Sequence, residues 1–234
     1  MRPRTLLWLA AAAVIAVSVA AQALWAASRP DTVAQAGPPA VTAGADVLDG
    51  ITVVDRRVRG YDYRRSAFGE AWDDDNGAPG GRNGCDTRND ILDRDLGDKT
   101  FVATKRCPRA VARGTLRDPY TNATVSFLRG NQVGASVQVD HIVPLAFAWD
   151  MGARDWTDQM RKRFANDPAN LLAVAGQANQ DKGDLPPGEW MPPNRAFHCA
   201  YAVQFIEVLR GYRLPVDDAS ARVLREAAGG CPAR

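Results

Sequence analysis

One stretch of the chain, residues 136–185, constrains the fold more than any other. It opens with a strand-like run, Ser136–Asp140, in which small or polar residues alternate with apolar ones and which leads directly into His141. A second short strand is predicted at 171–174, and a helix is predicted from Ala178 onward. Because two strands and a helix follow one another here, the sequence predicts a small strand–strand–helix unit.

The polar residues of this stretch are of the types that phosphodiester hydrolysis requires. Asp140 and His141 are adjacent where the first strand ends, and Asn170 and Asn179 follow on the later elements. Such a hydrolase needs a base that activates water and a divalent cation that stabilises charge on the phosphate. Neighbouring strand residues point to opposite faces, so Asp140 and His141 can serve one phosphate only if the backbone turns there. Pro144 is consistent with such a turn.

Three short motifs carry a resemblance to a known family: Asp-His-Ile-Val-Pro-Leu at 140–145, Asn-Leu-Leu at 170–172 and Asn-Gln-Asp-Lys-Gly-Asp at 179–184. In their order and spacing they resemble the elements of the HNH, or His-Me finger, nucleases. From about Tyr61 to Leu214 the chain is similar to exported HNH-family proteins and to the C-terminal nuclease domain of GmrSD-type restriction enzymes. The resemblance implies an α+β fold with a ββα-metal core at about 136–185, flanking helices and disulfide staples.

The resemblance also implies roles for four site residues. Asp140 and Asn179 would be metal ligands, His141 the general base, and Asn170 the residue that braces the following loop and orients His141. Asn179 stands where the name-giving motif has its final histidine, so the site holds a single imidazole. Oxygen ligands with one imidazole favour Mg²⁺ or Mn²⁺ over Zn²⁺.

Two basic residues, Lys182 and Arg88, are candidates for contact with phosphate, because a cation near developing negative charge lowers the barrier. Each site residue also has a structural interpretation. Asn170 could begin a strand, and Asn179 could cap a helix. The second histidine of the chain, His198, lies within an apolar helical pattern and is expected to be a packing or surface residue.

The N-terminus predicts export. A basic start with Arg2 and Arg4 is followed by an almost uncharged apolar run that ends in small residues near Ala27. We therefore expect a signal peptide at 1–27, with an uncleaved membrane anchor as the alternative. A linker at 28–44 and a nuclease domain at 45–234 would follow, in a secreted protein with no stable membrane association after cleavage.

Four dispersed cysteines, Cys85, Cys107, Cys199 and Cys231, are expected to form disulfides in an exported chain. Three pairings are possible. We favour Cys85 with Cys107 and Cys199 with Cys231, because sequence neighbours close the shorter loops. A zinc site built from all four is the alternative, although structural zinc sites usually use close-set ligand pairs.

Outside the central stretch, local patterns predict further elements. A helix at 45–57 would carry its apolar residues on one side, and a capped helix would begin at 86–87 and end before Gly97. Two β-rich runs at 114–120 and 123–127 suggest a hairpin. A long helix is predicted at 196–209, where apolar residues recur at three- and four-residue steps.

Taken with the resemblance, these features predict a metal-dependent endonuclease that cleaves DNA, with RNA as an alternative substrate, and leaves 5′-phosphate ends. The chain has 29 basic and 27 acidic residues, and loss of Arg2 and Arg4 with the signal peptide would leave 27 of each. Binding is therefore expected to depend on local phosphate contacts and to tolerate sequence, and the protein is expected to be a monomer. The alternatives are a secreted, non-catalytic protein that binds nucleic acid or envelope material, and an interbacterial toxin nuclease.

Overall fold

The computed structural model describes residues 40–42, 45–130 and 135–232, which belong to one compact unit of the chain, residues 38–234. The predicted signal peptide at 1–27 and most of the predicted linker at 28–44 lie outside these described residues. Among the helices that are described, none combines the length and apolar character needed to cross a bilayer.

Helices and small sheets are mixed in this unit, which confirms the predicted α+β class. The strands pair as β1 (Val53–Val54) with β7 (Val216–Asp217), as β2 (Gly97–Thr104) with β3 (Cys107–Arg117) and β4 (Thr124–Leu128), and as β5 (Val137–His141) with β6 (Leu171–Ala175). The α-helices are α1 (Thr87–Asp95), α2 (Leu145–Asp150), α3 (Asp158–Asn166), α4 (Gly176–Lys182), α5 (His198–Tyr212) and α6 (Asp218–Gly229).

The predicted strand–strand–helix core is formed by β5, β6 and α4. The two strands pair antiparallel, from Val137 opposite Ala175 to His141 opposite Leu171, and α4 follows β6 directly. The connection between the strands is long because it contains α2 and α3. The ββα arrangement is therefore confirmed, with a helical insertion between its two strands.

Two apolar clusters contact opposite faces of the two-stranded sheet formed by β5 and β6. Val137 and Val139 are buried in a cluster that includes residues of α1 and of the three-stranded sheet. Val174 of β6 belongs to the larger cluster, which includes residues of α2, α5 and α6. Because side chains alternate along a strand, Asp140 lies on the face opposite Val139. The last polar residues of β5, Asp140 and His141, therefore lie at the edge of the hydrophobic core.

Several local predictions are confirmed. The Asp86 side chain caps α1 by accepting a hydrogen bond from the backbone N–H of Asn89, at 2.9 Å. The 114–127 region forms the antiparallel pair β3–β4, and the long C-terminal helix is α5. The helix predicted at 45–57 is wrong. Turns occupy 47–50, and Val53–Val54 instead pairs in parallel with a strand more than 160 residues away, Val216–Asp217.

Both predicted disulfides are confirmed. Cys85 pairs with Cys107, which ties the segment before α1 to β3, at a Cα–Cα distance of 4.0 Å. Cys199 pairs with Cys231, which ties α5 to the segment after α6, at a Cα–Cα distance of 5.2 Å. Since all four cysteines are bonded in this way, the zinc alternative is excluded.

Candidate active site

Asp140, His141 and Asn179 line one cavity of about 380 Å³ at the edge of the ββα core. Arg65 and Asp184 also line it. Asp140 and His141 come from the end of β5, and Asn179 comes from the middle of α4. The fold therefore brings together the three residues that the sequence predicted as base and metal ligands.

Asp140 is held by two donors inside the protein. The Tyr120 hydroxyl donates to its Oδ2 atom at 2.5 Å. Burial raises the pKa of Tyr120 well above its usual range, so this hydroxyl stays protonated. Lys182 Nζ lies 3.0 Å from Oδ1 and 2.9 Å from Oδ2 of Asp140. These contacts fix the carboxylate and offset its negative charge.

Lys182 is a fully buried cation, with a relative exposure of 0%. Besides Asp140, its ammonium group donates to the backbone carbonyl of His141 at 2.8 Å. The three ammonium protons therefore have three acceptors, as burial of a charge requires. The sequence pattern predicted that Lys182 contacts phosphate. The structure corrects this, because the ammonium group is directed at Asp140 and His141 and is closed off from solvent.

Arg88 also lies elsewhere than expected. It donates to the carbonyl of Val137 at 3.1 Å, and its guanidinium lies 5.9 Å from the ring centroid of Phe127. Val137 begins β5 and His141 ends it, which separates the two positions by about 13 Å at the usual rise of a strand. Arg88 therefore braces the start of β5, and its contact with phosphate stays a prediction.

The imidazole of His141 is oriented by a backbone contact. Its Nε2 atom lies 2.9 Å from the carbonyl oxygen of Ala165. A carbonyl only accepts hydrogen bonds, so Nε2 carries the proton and Nδ1 keeps the lone pair. Burial lowers the pKa of His141 to about 3, and the charges of Arg65 and Lys182 act in the same direction. The ring is therefore neutral near pH 7, with the lone pair on Nδ1.

Asn170 braces the segment that follows His141. Its side-chain Oδ1 accepts from the backbone N–H of Val143 at 2.8 Å, and its Nδ2 donates to the Val143 carbonyl at 3.2 Å. Its own backbone carbonyl accepts from the N–H of Ile142 at 2.8 Å. These contacts hold the turn after β5 that lets Asp140 and His141 line one cavity. They match the bracing contacts expected of Asn170.

The oxygen donors at the cavity suit a hard divalent cation. A carboxylate has about four acceptor positions, and Asp140 uses three for Tyr120 and Lys182. Asn179 donates through Nδ2 to Gln138 at 2.7 Å, which leaves its amide oxygen as an acceptor. Mg²⁺ retains several waters and needs few protein ligands, and carboxylate and amide oxygens are the donor types that it prefers.

Structural zinc sites use four ligands, mostly cysteine and histidine side chains. Within residues 40–42, 45–130 and 135–232, no group of three or more His, Cys, Asp and Glu side chains is placed to hold a metal ion. Asp140 and Asn179 therefore offer oxygen donors, which are the type that Mg²⁺ and Mn²⁺ take together with waters.

Sequence reasoning missed two residues of the site, Arg65 and Tyr120. Arg65 is exposed and lines the cavity beside His141. Its only sequence signal was the basic and aromatic character of residues 61–72. Tyr120 is buried against Asp140 from 20 positions away. Its sequence signal was its place at the end of the first predicted strand of the hairpin, at 114–120, which assigned it no role.

Parts of this chain are similar to known proteins. Residues 86–227, which are more than half of the chain, match the family model of the C-terminal domain of GmrSD restriction endonucleases. An uncharacterized secreted protein of Arthroderma benhamiae is 36% identical over 149 residues, which cover 63% of this chain and 68% of that protein. No solved structure matches. The chain therefore belongs to the family of the C-terminal domain of GmrSD restriction endonucleases, a family of nuclease type.

Proposed function

We propose that this protein is a metal-dependent endonuclease that hydrolyses phosphodiester bonds in DNA, with RNA as an alternative substrate. The observation that carries the proposal is the neutral His141 imidazole, with its Nδ1 lone pair, on one cavity with Asp140 and Asn179. Membership of a nuclease family supports it further.

In this mechanism His141 is the general base. Nδ1 accepts a proton from a water molecule, and the resulting hydroxide attacks the phosphorus atom. The bond from phosphorus to the 3′ oxygen breaks, and that oxygen takes a proton from solvent. The products carry a 5′-phosphate and a 3′-hydroxyl. The Ala165 carbonyl and Asn170 hold the ring and the adjoining turn, so the base is oriented before the substrate arrives.

Asp140 and Asn179 would hold Mg²⁺ or Mn²⁺ at the cavity. A cation held there would supply stabilisation of negative charge on the phosphate and the leaving oxygen. Tyr120 and Lys182 keep the Asp140 carboxylate in place. Arg65, as an exposed cation on the same cavity, is the proposed contact to the phosphate backbone.

Secretion is also part of the proposal. The relative in Arthroderma benhamiae is named as a secreted protein, and two disulfides are typical of oxidising compartments. We propose that residues 1–27 are removed as a signal peptide and that residues 45–234 act as a monomeric nuclease domain.

A plasmid-nicking assay tests the function, with a matched control inside the chain. The two histidines are His141, in the cavity, and His198, whose ring contacts the Pro192 carbonyl. His141→Ala is expected to lower nicking by about 100-fold or more, the usual range for loss of a general base. His198→Ala is expected to keep most of the activity, and EDTA is expected to abolish nicking with Mg²⁺ or Mn²⁺.

The same assay separates the proposal from a non-catalytic binding protein. Equal nicking by wild type and His141→Ala, or nicking that persists in EDTA, would contradict the mechanism. Nucleic acid binding without any nicking by the folded wild-type protein would support the binding alternative. Parallel reactions with DNA and RNA assign the substrate.

A further inference from the structure

A second cavity meets the first at His141. It has a volume of about 220 Å³, and it shares Arg65, Leu145 and His141 with the larger cavity. The aromatic side chains of Phe68 and Trp72 form part of its wall. Building on the proposed function, we infer that this cavity takes one unpaired nucleobase of the strand being cleaved.

The size and chemistry of the cavity suit a nucleobase. Drug-sized ligands usually occupy about 300 Å³ or more, so about 220 Å³ fits a small ring system. Aromatic side chains stack on any base, because every base has a π-face. Ser66 and Glu70 also line the cavity and supply polar groups for the edge of a base.

The position of the cavity follows the connectivity of a nucleotide. A phosphate in the larger cavity would lie beside His141 and Arg65, which also line the smaller one. The base of the same nucleotide, or of its neighbour, is attached to that phosphate through a single sugar. The smaller cavity is therefore within reach of a base on the strand being cleaved.

Trp72 is held in an unusual backbone conformation that places its ring. Its φ angle is 62°, in the left-handed region that bulky residues rarely adopt. The Trp72 carbonyl accepts from the N–H of Thr87 at 3.2 Å, and the Ala71 carbonyl accepts from Arg106 at 3.0 Å. The indole lies nearly parallel to the His141 ring, at 10° and 5.4 Å between centroids. Strained backbone of this kind often marks a functional position.

A cavity of this size selects the state of the substrate. A base within a duplex is paired and stacked, so it enters such a cavity only after it leaves the helix. Single-stranded or locally opened nucleic acid avoids that step. We therefore expect tighter binding of single strands than of duplexes.

The test is a binding measurement in EDTA, so that hydrolysis does not interfere. Isothermal titration compares the 5′-phosphorylated thymidine dinucleotide with its abasic analogue, which has the same phosphates and no bases. The wild-type protein is expected to bind the thymidine dinucleotide at least tenfold more tightly. Trp72→Leu is expected to reduce this preference by about 5-fold to 100-fold, the range of one base–aromatic stack.

A second variant covers the case in which Trp72→Leu does not fold. Ala71 is exposed and lines the cavity, so Ala71→Leu narrows it and leaves Trp72 in place. It is expected to lower the same preference. Equal affinity for the two dinucleotides, or a preference that neither folded variant changes, would overturn the inference. If the wild type nicks nucleic acid but shows no base preference, only this inference is overturned. If it shows base preference but does not nick, only the proposed hydrolysis is overturned.

Discussion

Replacing Lys182 by methionine tests the buried charge pair on which the site geometry depends. The variant removes an ammonium group with 0% exposure and three acceptors. The Asp140 carboxylate, itself 6% exposed, would keep only its hydrogen bond from Tyr120. Removing one partner of a buried ion pair costs about 3–5 kcal/mol, because the other charge is left uncompensated. We expect a loss of that size in the free energy of unfolding.

Urea denaturation of five proteins measures the effect: wild type, Lys182→Met, Asp140→Asn, the double variant and a surface-pair control. The double variant Lys182→Met/Asp140→Asn removes both charges, so its loss of stability should be smaller than the sum of the two single losses by about 1–3 kcal/mol. Lys162→Met is the control, since Lys162 pairs with Asp73 at 2.5 Å where both side chains are partly exposed. A pair near the surface contributes about 0–1 kcal/mol.

A divalent cation provides a second readout of the same pair. Without the ammonium group, a cation would meet less repulsion at Asp140. Mn²⁺ is therefore expected to raise the melting temperature of Lys182→Met more than that of the wild type. The reasoning is refuted if Lys182→Met loses less than about 1 kcal/mol, or if the single and double variants are additive.

Two further predictions concern stability away from the site. Burial raises the pKa of Asp90 to about 6, with nearby carboxylates acting in the same direction. Its protonated form therefore stabilises the fold below pH of about 4, and this contribution is lost as pH rises through about 6. The Asp90→Asn variant should lack this loss. At about pH 8 it should be about 1–2 kcal/mol more stable than the wild type, after allowance for solvent at a partly exposed group. Urea denaturation over a pH series tests this, and a constant difference in unfolding free energy between the two proteins would contradict it. Replacing Cys199 and Cys231 by serine opens a loop of sequence separation 32 and should cost about 3–4 kcal/mol. Under oxidising conditions the variant keeps the Cys85–Cys107 bond, so its melting temperature is expected to lie below that of the wild type, and equal melting temperatures would contradict the prediction.

The sequence by itself determined the features that depend on neighbouring residues. Asp86 caps α1 because a carboxylate three residues before an N–H is in reach of it. Alternation along β5 places Val139 in the core and Asp140 on the other face. Loop closure between sequence neighbours predicted both disulfides correctly. The resemblance to HNH nucleases, carried by three motifs, implied a ββα core with Asp140, His141 and Asn179 at one site, and these residues line one cavity.

Secondary structure stabilised by distant partners was harder to predict. The segment at 45–57 has apolar residues at helical spacing, yet its strand Val53–Val54 forms because Val216–Asp217 lies beside it. The strand Gly97–Thr104 is mostly exposed and lacks clear alternation, so only its pairing with β3 identifies it. In both cases the partner strand supplies hydrogen bonds that no local pattern encodes.

Only the tertiary structure decided which charges are buried and which face solvent. Lys182 reads as a phosphate contact in the motif, but packing places it against Asp140, 42 positions away, and closes it off from solvent. Arg65 carries no motif, yet it lies exposed beside His141. Burial of a charge depends on everything that packs around it, and those neighbours come from distant parts of the chain. Residue identity and spacing therefore predict the chemistry available, whereas the fold decides which cation is buried and which faces solvent.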